Sequence, residues 1–214
     1  MPLTPRSDPA VLTAAPSRPS TQARAGAVAI GAALLFLANL VLEYRYDLFP
    51  DQTPGAANTA NQIGFTLALL GWAGSLVLLL RARLAAHGRF TAVAVSILIL
   101  GLLALAAANL ITLGSGGQDS PLYPIGGLAQ LVGVVLTGIA LARNDRLHGW
   151  DRVAVAFFSL ADLALFAATF LILDGEPTFA VEMLFPLSWI ALGSALIDDS
   201  RQHHRRGRGS PVAE

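Results

Sequence analysis

The chain reads as six long apolar runs separated by short polar breaks. The runs cover residues 25–48, 61–80, 90–113, 122–141, 153–173 and 179–197. Each is about 20 residues, enough to cross a ~30 Å hydrocarbon layer at 1.5 Å per residue in a helix. None keeps the continuous polar face that a helix needs to lie against water. The pattern predicts an all-α membrane protein, a bundle of six transmembrane helices. It divides the chain into a cytoplasmic tail over 1–24, the helical domain over 25–198 and a basic cytoplasmic tail over 199–214. Five prolines and three arginines in the first 24 residues leave too little apolar surface to offset ordering, so disorder is expected there. No apolar stretch precedes Arg24, so those residues do not read as a secretory signal.

Composition strengthens this reading. Hydrophobic residues make up 54% of the 214 and charged residues 13%, about half the charged share of a soluble domain. Net charge is zero, which offers no basic face to nucleic acid. There is no cysteine and no lysine, which removes thiolate, disulfide and lysine Schiff-base chemistry. The arginine bias with abundant alanine and glycine points to a GC-rich bacterial genome.

Arginine also predicts orientation. With the N-terminus cytoplasmic, 13 of the 14 arginines fall in cytoplasmic segments and only Arg45 lies outside. The outer segments carry Glu43, Asp47, Asp51, Asp119, Asp174 and Glu176 instead. This is the positive-inside pattern, and adding or dropping a span would destroy it. Tyr44, Tyr46 and Tyr123 then sit at the outer boundary and Trp150 at the inner one, as an aromatic belt. The expected location is a bacterial cytoplasmic membrane, with both termini inside.

A weak hairpin repeat runs through the spans. FLANLVL, AAANLIT and FAATFLI place Asn39, Asn109 and Thr169 in equivalent positions of the odd spans. GSLVL, GIALA and GSALI end the even spans alike. Three two-helix units account for this, as do shared membrane constraints on Ala/Leu-rich helices.

Helical spacing groups the polar residues into stripes. Span five aligns Ser159, Asp162, Phe166 and Thr169. Span four aligns Gly126, Gln130, Gly133 and Thr137. Span six aligns Glu182, Pro186, Trp189 and Gly193, and span two carries Gln62 and Thr66 in its outer half. Small and polar stripes ordinarily serve close helix packing. Asp162 stands apart, because it lies near the middle of its span. A charged group there costs about 2.5–3.5 kcal/mol on insertion scales. No arginine or histidine lies at that depth, and the nearest polar partners are Gln130 and Asn39. Asp162 either locks span five to span four through Gln130 or serves as a proton or cation site.

Glu182, about a turn below the outer surface, is the second candidate. With Asn109, Thr112, Glu43 and Arg45 it outlines an outer vestibule, unless Arg45 pairs locally with Glu43 or Asp47. Pro186 removes a backbone donor one turn inward and should loosen the helix there. Asp145 and Asp151 in the loop ARNDRLHGWDR match no diphosphate-binding spacing and read as a charged turn. Asp198, Asp199, His203 and His204 read as a solvated tail near anionic headgroups. All four histidines lie in cytoplasmic segments. No span holds the Ser–His, Asp–His or HExxH pattern of a hydrolase. The glycines of ITLGSGGQDS lack the lysine and preceding strand of a phosphate loop. No cofactor or metal is expected.

The segment LYPIGGLAQLVGVVLTGIALAR, followed by NDRLHGW and DRVAVAF, resembles a pattern found in small six-helix integral membrane proteins of actinobacteria. It has spaced glycines, a GIALxR ending and a short basic turn with a tryptophan. The resemblance implies localisation and carries over no site residues.

Two functions stay open. The first is a non-enzymatic accessory, sensor or assembly subunit, partnered by the bilayer and by another membrane protein or a second copy of itself. The alternative is a small proton- or cation-linked permease or channel, with Asp162 titrating and Gln130, Ser159 and Glu182 lining the route. A membrane enzyme using Asp145 and Asp151 is a more distant third.

Overall fold

The computed structural model describes residues 20–46, 48, 55–82, 88–115, 120–143, 149–171 and 178–208, and within these leaves aside the side chains of 170, 171 and 202–208. Residues 1–19 of the expected tail lie outside the described residues, as do Asp47, Asp51, Asp119, Asp145, Asp174, Glu176, His87 and His148.

All secondary structure among the described residues is helical. The helices are α1 (Thr21–Tyr46), α2 (Ala56–Arg81), α3 (Arg89–Gly114), α4 (Leu122–Ala142), α5 (Trp150–Leu171), the single turn α6 (Phe179–Glu182) and α7 (Leu184–Arg208). Six segments are long and apolar enough to cross a membrane, with α6 and α7 together forming the sixth. Helices are the only open-ended elements that satisfy every backbone group within lipid, which is why each apolar run takes this form. The chain is thus a polytopic membrane protein.

Both ends of the helical domain differ from the sequence reading, and α2 begins at Ala56, five residues before its apolar run. Helix α1 begins inside the expected tail, because Ser20 caps it: the Ala23 N–H donates to Ser20 Oγ at 3.1 Å. A serine before the first helical turn satisfies one of the otherwise orphaned N–H groups. Helix α7 continues to Arg208, so most of the expected C-terminal tail is helical. Its start is held against α1 by bonds between Ser20 Oγ and Ser200 Oγ at 2.8 Å and from Gln22 Nε2 to Asp199 Oδ2 at 2.7 Å. The two ends of the helical domain therefore meet on one side.

Around Pro186 one backbone bond is missing, which divides α6 from α7 at Met183, but the backbone stays helical through that residue: the Met183 and Leu187 N–H groups donate to the Phe179 and Met183 carbonyls at 3.0 and 3.2 Å. Proline cannot donate to the carbonyl four residues earlier, here that of Glu182.

Each long helix packs mainly on its neighbours in chain order, and α7 closes onto α1 and α5. The result is a ring of six helices around a shared core. Aromatic rings fill the middle of that core. Trp72 stacks on Trp189 with centroids 5.0 Å apart, and Phe185, Phe36 and Phe158 meet this pair edge-on or tilted at 4.9–5.2 Å. Leu34, Leu67, Leu100 and Leu160 are among the large apolar side chains that point outward, which is the face lipid covers.

Two crossings are too close for any side chain. A Cβ on Gly101 of α3 would lie 2.4 Å from the Gln130 backbone N of α4, and one on Gly133 would lie 2.5 Å from Leu98 Cα. Gly26 and Gly193 do the same for α1 against α7. The span-four stripe Gly126–Gly133 thus packs on α3. The three even-span glycines are used unequally. Gly193 is pinched, Gly138 abuts Ser159, and Gly74 faces open space.

Candidate functional site

A cavity of about 520 Å³ occupies the end of the bundle remote from the termini. Its rim is polar and drawn from four helices. Helix α1 supplies Glu43, α2 supplies Asn58, Asn61 and Gln62, α3 supplies Asn109, and α6 supplies Glu182. Asn58, Asn61 and Gln62 stand at i, i+3 and i+4, so the first turns of α2 present all three on one face. Pro186 leaves the Glu182 carbonyl without its helical donor, while the backbone runs helically through Met183. Phe36, Leu69 and Phe185 line the cavity further in, where they adjoin the buried Trp72–Trp189 stack. The cavity therefore ends on an aromatic floor partway through the bundle.

The bonding within the cavity is lopsided. Asn61 hydrogen-bonds the buried Glu43 carboxyl, and Glu43 feels the charge of Glu182. Tyr44 hydrogen-bonds Glu182. The Tyr123 hydroxyl donates to Asn109 Oδ1. Among the described residues, three buried oxygens lining the cavity have no donor: Asn61 Oδ1, Gln62 Oε1 and Glu182 Oε2. Asn61 is only 2% exposed, so its side chain lies inside the bundle at the cavity wall. No arginine or histidine lines this cavity or its neighbour among the described residues. Of the alternatives for Arg45, the pair with Glu43 does not form, because Glu43 turns into the bundle while Arg45 stays exposed, and Asp47 lies outside the described residues.

A second cavity of about 590 Å³ lies between α4 and α5 and contains Asp162. Asp162 is 4% exposed, and Gln130 Nε2 donates to its Oδ1 at 3.3 Å. Phe166 and Thr169, which share its helix face, line the same space. Tyr123, Gln130, Leu165 and Glu182 border both cavities, so the two adjoin along these residues.

Of the polar residues singled out in the sequence, the structure gathers Asp162, Gln130, Glu182 and Asn109 around these joined cavities. It does not bring Ser159 or Asn39 to them. Ser159 Oγ donates to the Val155 carbonyl at 3.3 Å, and Asn39 Nδ2 to the Leu35 carbonyl at 2.7 Å. Each is satisfied within its own helix, a common fate of short polar side chains in helices. Asn39 also lies against Gly64. Glu43, Asn61, Gln62 and the two bonded tyrosines complete the site. Asp151 is buried in the first turn of α5, where a carboxylate favours the helix N-terminus. Among the described residues no group of three His, Cys, Asp or Glu is placed to hold a metal.

The Tyr123–Asn109 bond ties α4 to α3 at the rim. Tyr123→Phe should lower stability in detergent by about 1 kcal/mol, near the upper range of interhelical bonds measured in membranes. Thermal unfolding of the purified variant checks this, and an unchanged midpoint would show that the bond contributes nothing.

Comparison with protein-family models, curated proteins and solved structures finds no match.

Proposed function

We propose that the protein is a small proton- or cation-linked permease of a bacterial cytoplasmic membrane, and that its acidic cavity binds a cationic solute from the outer side. The termini are cytoplasmic in this reading, as the arginine distribution requires. The supporting observation is the imbalance of the cavity: among the described residues, every buried side-chain atom in its lining without a protein partner is an oxygen, set beside two carboxyls with no arginine or histidine. A buried polar group without a partner costs free energy. The complementary occupant must bring hydrogen-bond donors or positive charge. A protonated amine or a hydrated monovalent cation does so, whereas an anion would meet Glu43 and Glu182. Asp162, deeper and bridged to Gln130, is the group suited to carry the coupled proton. The aromatic floor lies across the route inward, and in this reading such a carrier is outward-open. Transport rather than catalysis suits a site with carboxyls and amides but no paired nucleophile and base.

Titration of the purified protein with sodium, potassium and methylammonium chloride tests the reading. At least one cation should raise the unfolding temperature, since a ligand of the folded state stabilises it by mass action. Glu182→Gln should weaken that cation by about tenfold, the loss expected for one charge-assisted bond, while Arg45→Gln should leave it intact. In proteoliposomes the same cation should drive a proton flux that Asp162→Asn removes. Absence of both binding and flux would return the protein to the accessory or assembly role.

A further inference from the structure

The cavity holding Asp162 adjoins the outer vestibule along Tyr123, Gln130, Leu165 and Glu182, and it also opens sideways. Leu128 of α4 and Phe166 of α5 form its lips and are 61% and 43% exposed on the outer surface of the ring. Gly127, between them and the interior, has nothing within 4 Å of where a Cβ would stand. Helices α4 and α5 pack less closely than any other pair of neighbouring long helices. The opening lies at membrane depth. Phe166 is five residues from the last residue of α5, which places it about 8 Å below that helix end at 1.5 Å per residue. The lips at Leu128 and Phe166 thus face lipid chains, while Tyr123 and Pro124 bound the crevice at its outer end.

Its walls and its back differ in chemistry. Leu128, Leu131, Leu165 and Phe166 make the walls apolar. At the back stand Asp162 with its Gln130 partner, and the unpartnered Glu182 Oε2 borders the same space. A volume of about 590 Å³ falls in the range that encloses a drug-sized molecule. We propose that this crevice is a lateral entry and binding site for lipophilic amines, compact apolar molecules carrying one protonated nitrogen.

Charge complementarity selects this class. A neutral apolar molecule would leave Glu182 Oε2 unpartnered, and an anion would face two carboxyls. A hydrated metal cation has no apolar body to set against the leucine walls. A lipophilic amine concentrates in the leaflet, presents its apolar body to the leucines and directs its N–H donors at Asp162 and Glu182. The rings of Tyr123 and Phe166 add surface that attracts a desolvated cation. The inference rests on the cation-binding reading above and names the substrate class that the same joined cavities would admit through the membrane.

The test is saturable binding of tritiated propranolol, a naphthyl secondary amine, to the full chain in lipid nanodiscs, with empty nanodiscs subtracted. Methylammonium binding is measured on the same samples by thermal shift. Wild type should bind propranolol saturably. Asp162→Asn should weaken it by about tenfold to a hundredfold, as expected for one charge-assisted bond. Gly127→Leu fills the crevice from α4, does not line the outer cavity, and replaces a helix-weakening residue with a helix former. It should abolish propranolol binding and leave the methylammonium shift unchanged. Methylammonium binding without saturable propranolol binding would overturn the lateral site and leave the outer cation site standing. Propranolol binding indifferent to both substitutions would overturn the crevice as its location. Loss of both ligands from wild type would remove the lateral site and the cation-binding reading together.

Discussion

Gly101→Ala is expected to destabilise the folded protein by about 1–3 kcal/mol, the usual result of forcing a methyl into a filled contact. The added Cβ would stand 2.4 Å from the Gln130 backbone N, 2.8 Å from its Cα and 2.9 Å from the Ala129 carbonyl carbon. All three are backbone atoms, so no rotamer change relieves the clash, and α3 and α4 must move apart. Alanine otherwise favours a helix over glycine by about 0.5–1 kcal/mol, so the control variants change sign. Gly74→Ala and Gly127→Ala meet nothing within 4 Å and should be neutral or slightly stabilising. Thermal unfolding of the three variants in mild detergent checks the contrast. Because Gly101 faces the residue that bonds Asp162, Gly101→Ala should also weaken cation binding, even though it carries no polar group. An unfolding midpoint equal to that of Gly74→Ala would mean that α3 and α4 are not held this close.

The six spans were legible because lipid imposes one solution on each apolar run, and that solution depends on length and hydropathy alone. At Pro186 only the missing N–H itself was legible, because its effect is confined to one backbone bond. Helix ends were less so. Nothing in the composition of 199–214 distinguishes a helix from a solvated tail, since the contacts that hold its start are made with Ser20 and Gln22, 177 and more residues away.

The site divides the same way. Asp162 and Gln130 stood out because depth alone makes them expensive, and depth can be counted from a span's ends. Ser159 and Asn39 stood out for the same reason. Whether a polar side chain turns to a neighbouring helix or back to its own carbonyl is settled by packing, and depth says nothing of it. Glu43 lies near a boundary, where water, a local arginine and the bundle interior compete for it. Only the position of Asn61 decides that contest. Tyr44 and Tyr123 fit a belt by position, yet their hydroxyls bond Glu182 and Asn109. A phenol at an interface can face either way. The one further signal was the spacing of Asn58, Asn61 and Gln62 on α2, three amides on a single face at the start of a span.

Trp72→Ala should be the most damaging single truncation in the core. Trp72 is fully buried, contacts Phe36, Phe185 and Trp189 with centroids 4.9–5.2 Å away, and donates its indole N–H to the Ala29 carbonyl at 3.2 Å. In a water-soluble core such a truncation costs about 3–5 kcal/mol, part of it transfer free energy and part the cavity left behind. Helices already inserted in lipid gain little from hydrophobic transfer, since lipid chains are as apolar as leucine. The loss here comes mainly from packing and the hydrogen bond, which sets the expectation nearer about 2–3 kcal/mol. Trp72→Phe keeps a ring in the stack and should lose well under half as much. The same pair of variants probes the floor of the acidic cavity. If the aromatic stack seals the bundle, Trp72→Ala that remains folded should make proteoliposomes leak protons, and Trp72→Phe should not. A tight Trp72→Ala would move the seal to the leucines beneath, Leu76 and Leu98, both buried in the same cluster. A leak confined to Trp72→Ala would establish that one layer of rings separates the acidic cavity from the other side of the membrane, and that any transport cycle must begin by parting it.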